Sequence, residues 1–445
     1  MARGRTAEEI REASPVLLEA AVDNRFFRRN EARTLPAFGG GELGNGPVLG
    51  VGGFCDVREI PALRLDGVDN EAEAEAEADT DPDTQHRRVV VDRTAEVPTD
   101  DHDRHYAMEP AEARAYMARH CLRHGEARYA VKRVKADLPP LEMAHGALDL
   151  AVEARFLAVI SHPNIVKMRA VGTGSPLSCP GFFLVLDRLY GTLEDRLGEW
   201  DDVRRSYGGG CCGIGRDQGE MTNLLLRRLT ALHDIGKAMA YLHGHGIIYR
   251  DTKPENVGFD IRGDIKVFDF GLSKVLSRKA RGKDGTYKLT GLTGSRIYMA
   301  PEVALCQPYN LSADVFSFGT LLWQVLALRD PYETFDVRDY NEKVCKLGYR
   351  LDIPGSWPAL VREMLKDCWQ QRPSKRPDFR RIVNIIRGEM KDMAGSNRAS
   401  IHNRTTHMMN RSIRSSRGFK TTRSRESEER PPSESTASGD ETTPR

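Results

Sequence analysis

The segment from Tyr249 to Asn256, with the sequence YRDTKPEN, constrains this chain more than any other feature. The apolar residues just before it predict a strand, which places Asp251 after the strand end. Asp251 can accept a proton from a hydroxyl, and Lys253 can neutralise charge on a transferring phosphoryl group. Asn256 offers a neutral oxygen of the kind that Mg²⁺ favours. Each residue alone fits an ordinary turn, but all of them at this spacing are improbable by chance.

A second acidic group follows another apolar strand pattern, IKVF, in the segment Asp269-Phe270-Gly271. An aspartate at a strand end is suited to hold Mg²⁺ against phosphates. Further along lie Met299-Ala300-Pro301-Glu302 and then Arg376. Glu302 and Arg376 have two interpretations, either a buried ion pair or two separate surface charges.

The glycine-rich segment Gly50-Val51-Gly52-Gly53-Phe54-Cys55-Asp56-Val57 lies between two predicted strands. Glycines have no Cβ and let backbone N–H groups approach phosphates, although a simple hairpin turn explains the same pattern. Lys132 lies in a later apolar strand, where a lysine needs an anionic partner or must point to solvent. Glu153, in a predicted helix, is the candidate partner; the alternative is an exposed edge lysine.

These segments, in this order, resemble the protein kinase superfamily. The resemblance covers about residues 44–390. It implies an α+β, two-lobed protein kinase fold, with a small β-rich N-lobe that has one main helix and a larger, mostly helical C-lobe. The order of predicted elements, strands with one helix and then helices with a few strands, indicates the same α+β class.

The resemblance also implies ATP and Mg²⁺ as ligands and a protein as the substrate. By similarity, Asp251 is the catalytic base, Lys253 acts beside it, and Asn256 and Asp269 hold the Mg²⁺ ions. Lys132 is expected to hold the α- and β-phosphates and to pair with Glu153. The other expected ATP contacts lie in the glycine-rich segment, the Lys132 strand and the hinge: Gly50, Val51, Gly52, Gly53, Phe54, Val57, Ala130, Asp187 and Leu189.

Two details refine the expected activity. Lys253 resembles the serine/threonine type, and Ser295 matches a hydroxyl residue that contacts the catalytic loop. Thr293-Gly294-Ser295, Cys368-Trp369 and Arg376-Pro377 resemble the tyrosine-kinase-like group.

The loop after Asp269 carries the expected regulation. Arg250 precedes Asp251, and in the family such an arginine reads a phosphate on the activation loop. We therefore hypothesise that phosphorylation of Thr290 or Thr293 orders this loop; the alternative is that both are merely polar loop residues.

The chain also departs from the family pattern. Cys55 stands at the third glycine position, which places a thiol near the ATP site and raises the hypothesis that it is reactive. Tyr249 replaces the usual histidine of the catalytic loop.

Four further segments are predicted outside the regular pattern. Residues 1–43 are a leader of uncertain structure, with a helix candidate at 7–22. An insert covers about residues 66–125, with an acidic part predicted to be disordered (66–105) and a short helix (109–124). A second, irregular insert covers about 198–220. Residues 391–445 are rich in Ser, Thr and Arg and are predicted to be a disordered tail.

Charge and composition limit the kinds of partner that this chain is expected to have. The 66 basic and 64 acidic residues nearly balance, which argues against a DNA-binding domain. Residues 71–83 (EAEAEAEADTDPD) carry seven acidic residues and no basic one, whereas 397–424 carry many arginines, so the acidic insert and the tail are the candidate sites for regulators. We expect no secretory signal and no transmembrane segment, hence a cytoplasmic location with the nucleus left open. The 8 cysteines include no CxxC pair and indicate reduced thiols.

Three functions compete at this point. An active enzyme is favoured because Lys132, Asp251, Asn256 and Asp269 are all present. A pseudokinase scaffold would keep the fold without turnover. In a third interpretation the tail and the acidic insert carry the main function and the catalytic unit is a regulated passenger.

Overall fold

The computed structural model describes residues 26–27, 32–65, 108–175, 181–208 and 218–394. The predicted leader helix at 7–22, the acidic residues 66–105 and the tail from 395 onward lie outside these ranges. No helix among the described residues is long and apolar enough to cross a membrane.

The first lobe is built on a six-stranded sheet. Its strands are β1 (Ala37–Phe38), β2 (Val48–Val51), β3 (Cys55–Ile60), β6 (Tyr129–Val134), β7 (Met168–Gly172) and β8 (Phe183–Asp187). The spatial order is β1-β7-β8-β6-β3-β2, with β1 and β7 parallel and the other pairs antiparallel. Central strand β6 is mostly buried, because its apolar residues are covered on both faces of the sheet.

Strand β1 corrects the predicted domain start at residue 44. Ala37 and Phe38 pair with Val171 and Gly172, and the Phe38 ring is fully buried. Residues 37–43 therefore belong to the sheet layer rather than to a separate leader. A two-residue strand has no alternation of apolar and polar residues from which it could be predicted.

The first insert contains folded elements. Helix α1 (Pro110–Arg119) confirms the short helix predicted at 109–124, and a hairpin of β4 (Leu122–Arg123) and β5 (Glu126–Ala127) follows it. Met117 and Cys121 are buried in a second core that also contains Phe38, Ile60 and Tyr129. The insert thus covers one face of the sheet, whereas helix α2 (Pro140–Val159) packs in the main core.

The second lobe is mainly helical. Its helices are α3 (Leu193–Gly208), α4 (Gln218–Gly244), α5 (Pro301–Ala304), α6 (Ser312–Ala327), α7 (Val337–Asp339), α8 (Ala359–Cys368) and α9 (379–394), and a π-helix (Tyr340–Lys346) continues α7. Two short antiparallel pairs, β9 (Ile247–Ile248) with β12 (Lys274–Val275) and β10 (Val257–Phe259) with β11 (Ile265–Val267), hold the intervening loops. Helix α6 is buried from Ala313 to Ala327, as expected for a helix that is apolar all round.

Helix α3 corrects the irregular insert predicted at 198–220. Residues 198–208 continue this helix, and residues 218–220 already belong to α4. Leu193, Leu197 and Trp200 are buried at i, i+4 and i+7 spacing, so one face of α3 packs into the main core. Residues 209–217 lie outside the described ranges.

Candidate active site

The buried amine of Lys132 joins the two lobes. Its Nζ lies 2.6 Å from Oε2 of Glu153, a residue of α2. It lies 3.1 Å from Oδ1 of Asp269, a residue that follows β11. Burial acts to lower the pKa of the lysine, but the two carboxylates outweigh it and raise that pKa above its usual value. Lys132 is therefore held as a cation, and the pairing with Glu153 expected from the sequence is present. The exposed edge lysine is ruled out.

Asp251 lies in the loop after β9, and both oxygens of its carboxylate are held by neighbouring side chains or backbone groups. Its Oδ1 accepts hydrogen bonds from the backbone N–H (2.9 Å) and hydroxyl (3.0 Å) of Ser295. Its Oδ2 accepts from Asn256 Nδ2 at 2.7 Å and lies 3.1 Å from Lys253 Nζ. Because its amide nitrogen donates to Asp251, the amide oxygen of Asn256 is the atom that remains for a cation.

Gly294 is needed for the contact between Ser295 and Asp251. Its φ is +95°, and a Cβ at this position would lie 2.1 Å from the Arg250 carbonyl oxygen. Any side chain would push the two loops apart, which explains the glycine of the Thr293-Gly294-Ser295 segment.

Sequence reasoning assigned no role to Asp314, which lies at the start of α6 and supports the catalytic loop. Its carboxylate accepts from the backbone N–H groups of Tyr249 (2.9 Å) and Arg250 (2.8 Å) and from His243 Nε2 (2.8 Å). Arg250 has φ of +74°, a conformation that costs free energy for a non-glycine residue. Asp314 therefore fixes a strained turn immediately before Asp251.

A cavity of about 530 Å³ lies between the sheet and the second lobe, and we call it the central cavity. It is lined by all the residues that the sequence analysis assigned to ATP and Mg²⁺, and by Lys253. Asp251 is not among the lining residues of this cavity and instead lines a smaller space together with Ser295. The lining residues that sequence reasoning missed include Leu49, Asp149, Val166, Thr192, Asp195 and Phe268.

The glycine-rich segment closes one end of the central cavity. Phe54 reaches α2 at Gly146, where an added Cβ would lie 2.7 Å from the Phe54 Cβ. The backbone N–H of Lys135 donates to the Phe54 carbonyl at 3.0 Å. The segment is therefore held against both β6 and α2.

Cys55 and Asp149, which also line the central cavity, have displaced pKa values. Burial raises the pKa of the Cys55 thiol to about 12, which keeps it protonated and argues against the reactive-thiol hypothesis. Burial, and then the nearby Asp269, raise the pKa of Asp149 to about 7.

The loop after Asp269 contacts Arg250. Arg250 Nη1 donates to Thr290 Oγ1 at 3.0 Å, and Thr293 Oγ1 donates to the same oxygen at 3.0 Å. The Tyr309 hydroxyl donates to the Thr290 carbonyl at 2.7 Å. Thr290 thus lies beside a guanidinium group.

Glu302 and Arg376 form the buried ion pair that the sequence suggested. Arg376 Nη1 and Nη2 lie 2.6 and 2.9 Å from the two carboxylate oxygens of Glu302. Arg376 also donates to the carbonyls of Ser312 and Gln370. This pair joins α5 to the segment before α9 and lies away from the central cavity.

Comparison with known proteins places this architecture in a family. A family model described as protein tyrosine and serine/threonine kinase matches residues 113–386, which is more than half of the chain. The chain belongs to the protein kinase family. The match begins after the glycine-rich segment, which the insert separates from Lys132.

The curated relatives include serine/threonine and dual-specificity kinases. A probable serine/threonine-protein kinase of Dictyostelium discoideum is 31% identical over 234 residues, which are 53% of this chain and 22% of that protein. Dual specificity protein kinase shkA of the same organism is 31% identical over 54% of this chain and 41% of its own length. Serine/threonine-protein kinase STY17 of Arabidopsis thaliana is 28% identical over 60% of this chain and 42% of its own length. The chain therefore spans less than half of each of these relatives.

Proposed function

We propose that this chain is an active protein kinase that transfers the γ-phosphate of ATP to serine or threonine hydroxyls of proteins. The observation that carries the proposal is the double contact of Lys132 with Glu153 and Asp269 across the central cavity. A pseudokinase scaffold would have no need to keep these charges assembled at such a cost in desolvation.

The donor set supports Mg²⁺ with ATP. Asp269 and Asn256 present hard oxygen atoms on the same cavity, and Mg²⁺ is commonly held by one or two such groups together with substrate phosphates. When bound, the metal would neutralise charge on the phosphates. Lys132 would hold the α- and β-phosphates, and the backbone of Gly50, Val51, Gly52, Gly53 and Phe54 would cover them. Val57, Ala130, Asp187 and Leu189 would surround the adenine.

Asp251 is the proposed base. Ser295 and Asn256 hold its carboxylate in one orientation, so that it can receive the proton of a substrate hydroxyl without first being rearranged. Lys253, beside Asp251, would neutralise charge on the phosphoryl group. This lysine, in the serine/threonine pattern, supports serine and threonine as acceptors, while the dual-specificity relatives make tyrosine the competing acceptor.

The test compares wild type with Asp251→Asn in ATP, Mg²⁺ and a mixture of Ser-, Thr- and Tyr-containing peptides, followed by mass spectrometry. We expect transfer to Ser and Thr by the wild type and a loss of at least about 100-fold in the variant. Phosphotyrosine as the main product would overturn the acceptor class. Absence of transfer by wild type that still binds Mg²⁺ and ATP would favour the scaffold.

We also propose that phosphorylation of the loop at Thr290 activates the enzyme. The contact with Arg250 supports this site, because a phosphate there would gain a charge-assisted hydrogen bond. The test is Thr290→Ala beside Thr286→Ala, whose hydroxyl contacts Asp284 instead. Activity lost only in Thr290→Ala, together with a phosphate found on Thr290 of the wild type, is the expected result. Full activity of Thr290→Ala with Thr293→Ala would defeat the idea.

A further inference from the structure

A cleft beside the hinge segment, residues 187–189, is lined mainly by basic residues, and we call it the basic cleft. It encloses about 80 Å³, room for side-chain carboxylates but far smaller than the central cavity. Two of its lining residues, Asp187 and Asp260, are acidic. Six are basic: Arg123, Arg128, Lys167, Arg169, Arg262 and Lys266.

Both acids of the basic cleft already have cationic partners within it. Arg169 donates to the two oxygens of Asp187 at 2.6 and 2.7 Å. Arg262 and Lys266 each lie 3.3 Å from Asp260. The basic residues that line the cleft thus outnumber its acidic residues by four, and Arg262 also lies 3.3 Å from Asp264 beside it. An anionic occupant would lower the repulsion among these cations.

The folded part of the first insert forms one wall of the basic cleft. Arg123 lies in β4, and Arg128 follows β5. This wall is attached to the hinge, since the backbone N–H of Arg188 donates to the Arg128 carbonyl at 2.9 Å and the Tyr190 hydroxyl donates to the Ala127 carbonyl at 3.0 Å. The turn between β10 and β11 forms the opposite wall.

The acidic stretch of the chain is tethered to the same layer. Leu65 packs on the second core, which includes Cys121, and the Cys121 carbonyl accepts from the Arg128 backbone N–H at 2.9 Å. Five residues separate Leu65 from Glu71, so the six steps between them can span about 20 Å when extended. Residues 71–83 carry acids at every second position and no base.

We propose that the basic cleft binds the acidic segment 71–83 of the same chain. Tethering raises the effective concentration of this segment to about the millimolar range, so even a weak ionic contact would be substantially occupied. The contact would weaken as salt rises, because the partly exposed charges become screened.

The test uses a fluorescent synthetic peptide, EAEAEAEADTDPD, and the full chain with the four glutamates of residues 71–83 changed to Gln and the three aspartates to Asn. At low salt we expect the peptide to bind this neutralised chain and to bind wild type at least about tenfold more weakly. In the neutralised chain, R123Q/R128Q should weaken binding at least about tenfold, while the matched control R338Q/R380Q, at exposed arginines of the helical lobe, should not.

Each contrary result overturns the proposal. Equal binding by wild type and the neutralised chain would show that the tethered segment does not occupy the cleft. Equal weakening by R123Q/R128Q and R338Q/R380Q would show binding elsewhere, for example on the arginines of 397–424. Absence of binding to the neutralised chain would show that the cleft does not take an acidic peptide. A thermal midpoint within a few degrees of wild type confirms that each variant is folded.

Discussion

The ion pair of Glu302 and Arg376 illustrates how a buried charge depends on its partner at the scale of single residues. The Arg376 side chain is fully buried and bridges Glu302 and two carbonyl groups. We expect Arg376→Met to lower the free energy of unfolding by about 3–5 kcal/mol, because Glu302 keeps a buried, unpaired charge. Urea unfolding measures this.

The matched control is Arg381→Met. Arg381 is exposed and lies 3.7 Å from Asp367, so its loss should change stability by less than about 0.5 kcal/mol. Equal effects of the two substitutions would show that burial of the Glu302 pair is not what makes it important.

His162 gives a prediction about pH. Burial and the charge of Lys237 lower the pKa of its imidazole to about 4, and its Nδ1 accepts from the Asn164 backbone N–H at 3.1 Å. Between about pH 6.5 and 4 the unfolded chain binds a proton that the folded chain excludes, so stability falls as pH falls through this window. Since the ring is only partly buried, we expect a loss on the order of 1 kcal/mol.

The measurement is the free energy of unfolding at pH 7.5 and 5.0 for wild type and His162→Asn, whose side-chain oxygen can still accept from Asn164. The variant should lose less stability on acidification than wild type. His124→Asn is the control, because His124 is exposed and its φ of +52° suits asparagine. A wild type and a His162→Asn that lose stability in parallel would contradict the assignment.

At the scale of elements, the first insert is part of the folded lobe. Met117 on α1 is fully buried against Phe38 and the sheet. We expect Met117→Ala to lower the free energy of unfolding by about 2–5 kcal/mol, because it leaves a cavity in the second core. Arg119→Ala, on the exposed face of α1, should change it by less than about 0.5 kcal/mol. A small effect of Met117→Ala would mean that the insert is only loosely attached.

The sequence could predict those features whose chemistry requires particular residue types. Lys132, Glu153, Asp269 and the YRDTKPEN segment were assigned because their chemistry needs particular residue types at a particular spacing. Strand β1 has too few residues for a pattern. Helix α3 was missed beyond residue 198, although the spacing of Leu193, Leu197 and Trp200 was visible, because the glycines that follow suggested an irregular segment.

Contacts between residues far apart in the sequence were harder to predict than the residues of the site itself. Asp314 contacts Tyr249 and Arg250 across more than 60 residues of chain, and only the fold brings them together. The basic cleft is similar, since its cations come from three separate parts of the sequence. Neither has a local spacing that sequence reasoning can recognise.

At the scale of the whole molecule, Asp269 and Lys132 connect the lobes, so ligand binding should stabilise the entire folded domain. At a concentration of 100 times Kd, a ligand that binds only the folded state stabilises it by about 2.7 kcal/mol.

We expect ATP with Mg²⁺ to raise the thermal midpoint of wild type by clearly more than ATP alone does. In Asp269→Asn this Mg²⁺-dependent part should disappear, because a neutral amide replaces the charged oxygen ligand. Asp260→Asn, on the turn outside the central cavity, should keep the full Mg²⁺ effect. A Mg²⁺-dependent shift that survives in Asp269→Asn would place the metal on other groups, and a loss in both variants would show that the effect depends on overall charge rather than on the site.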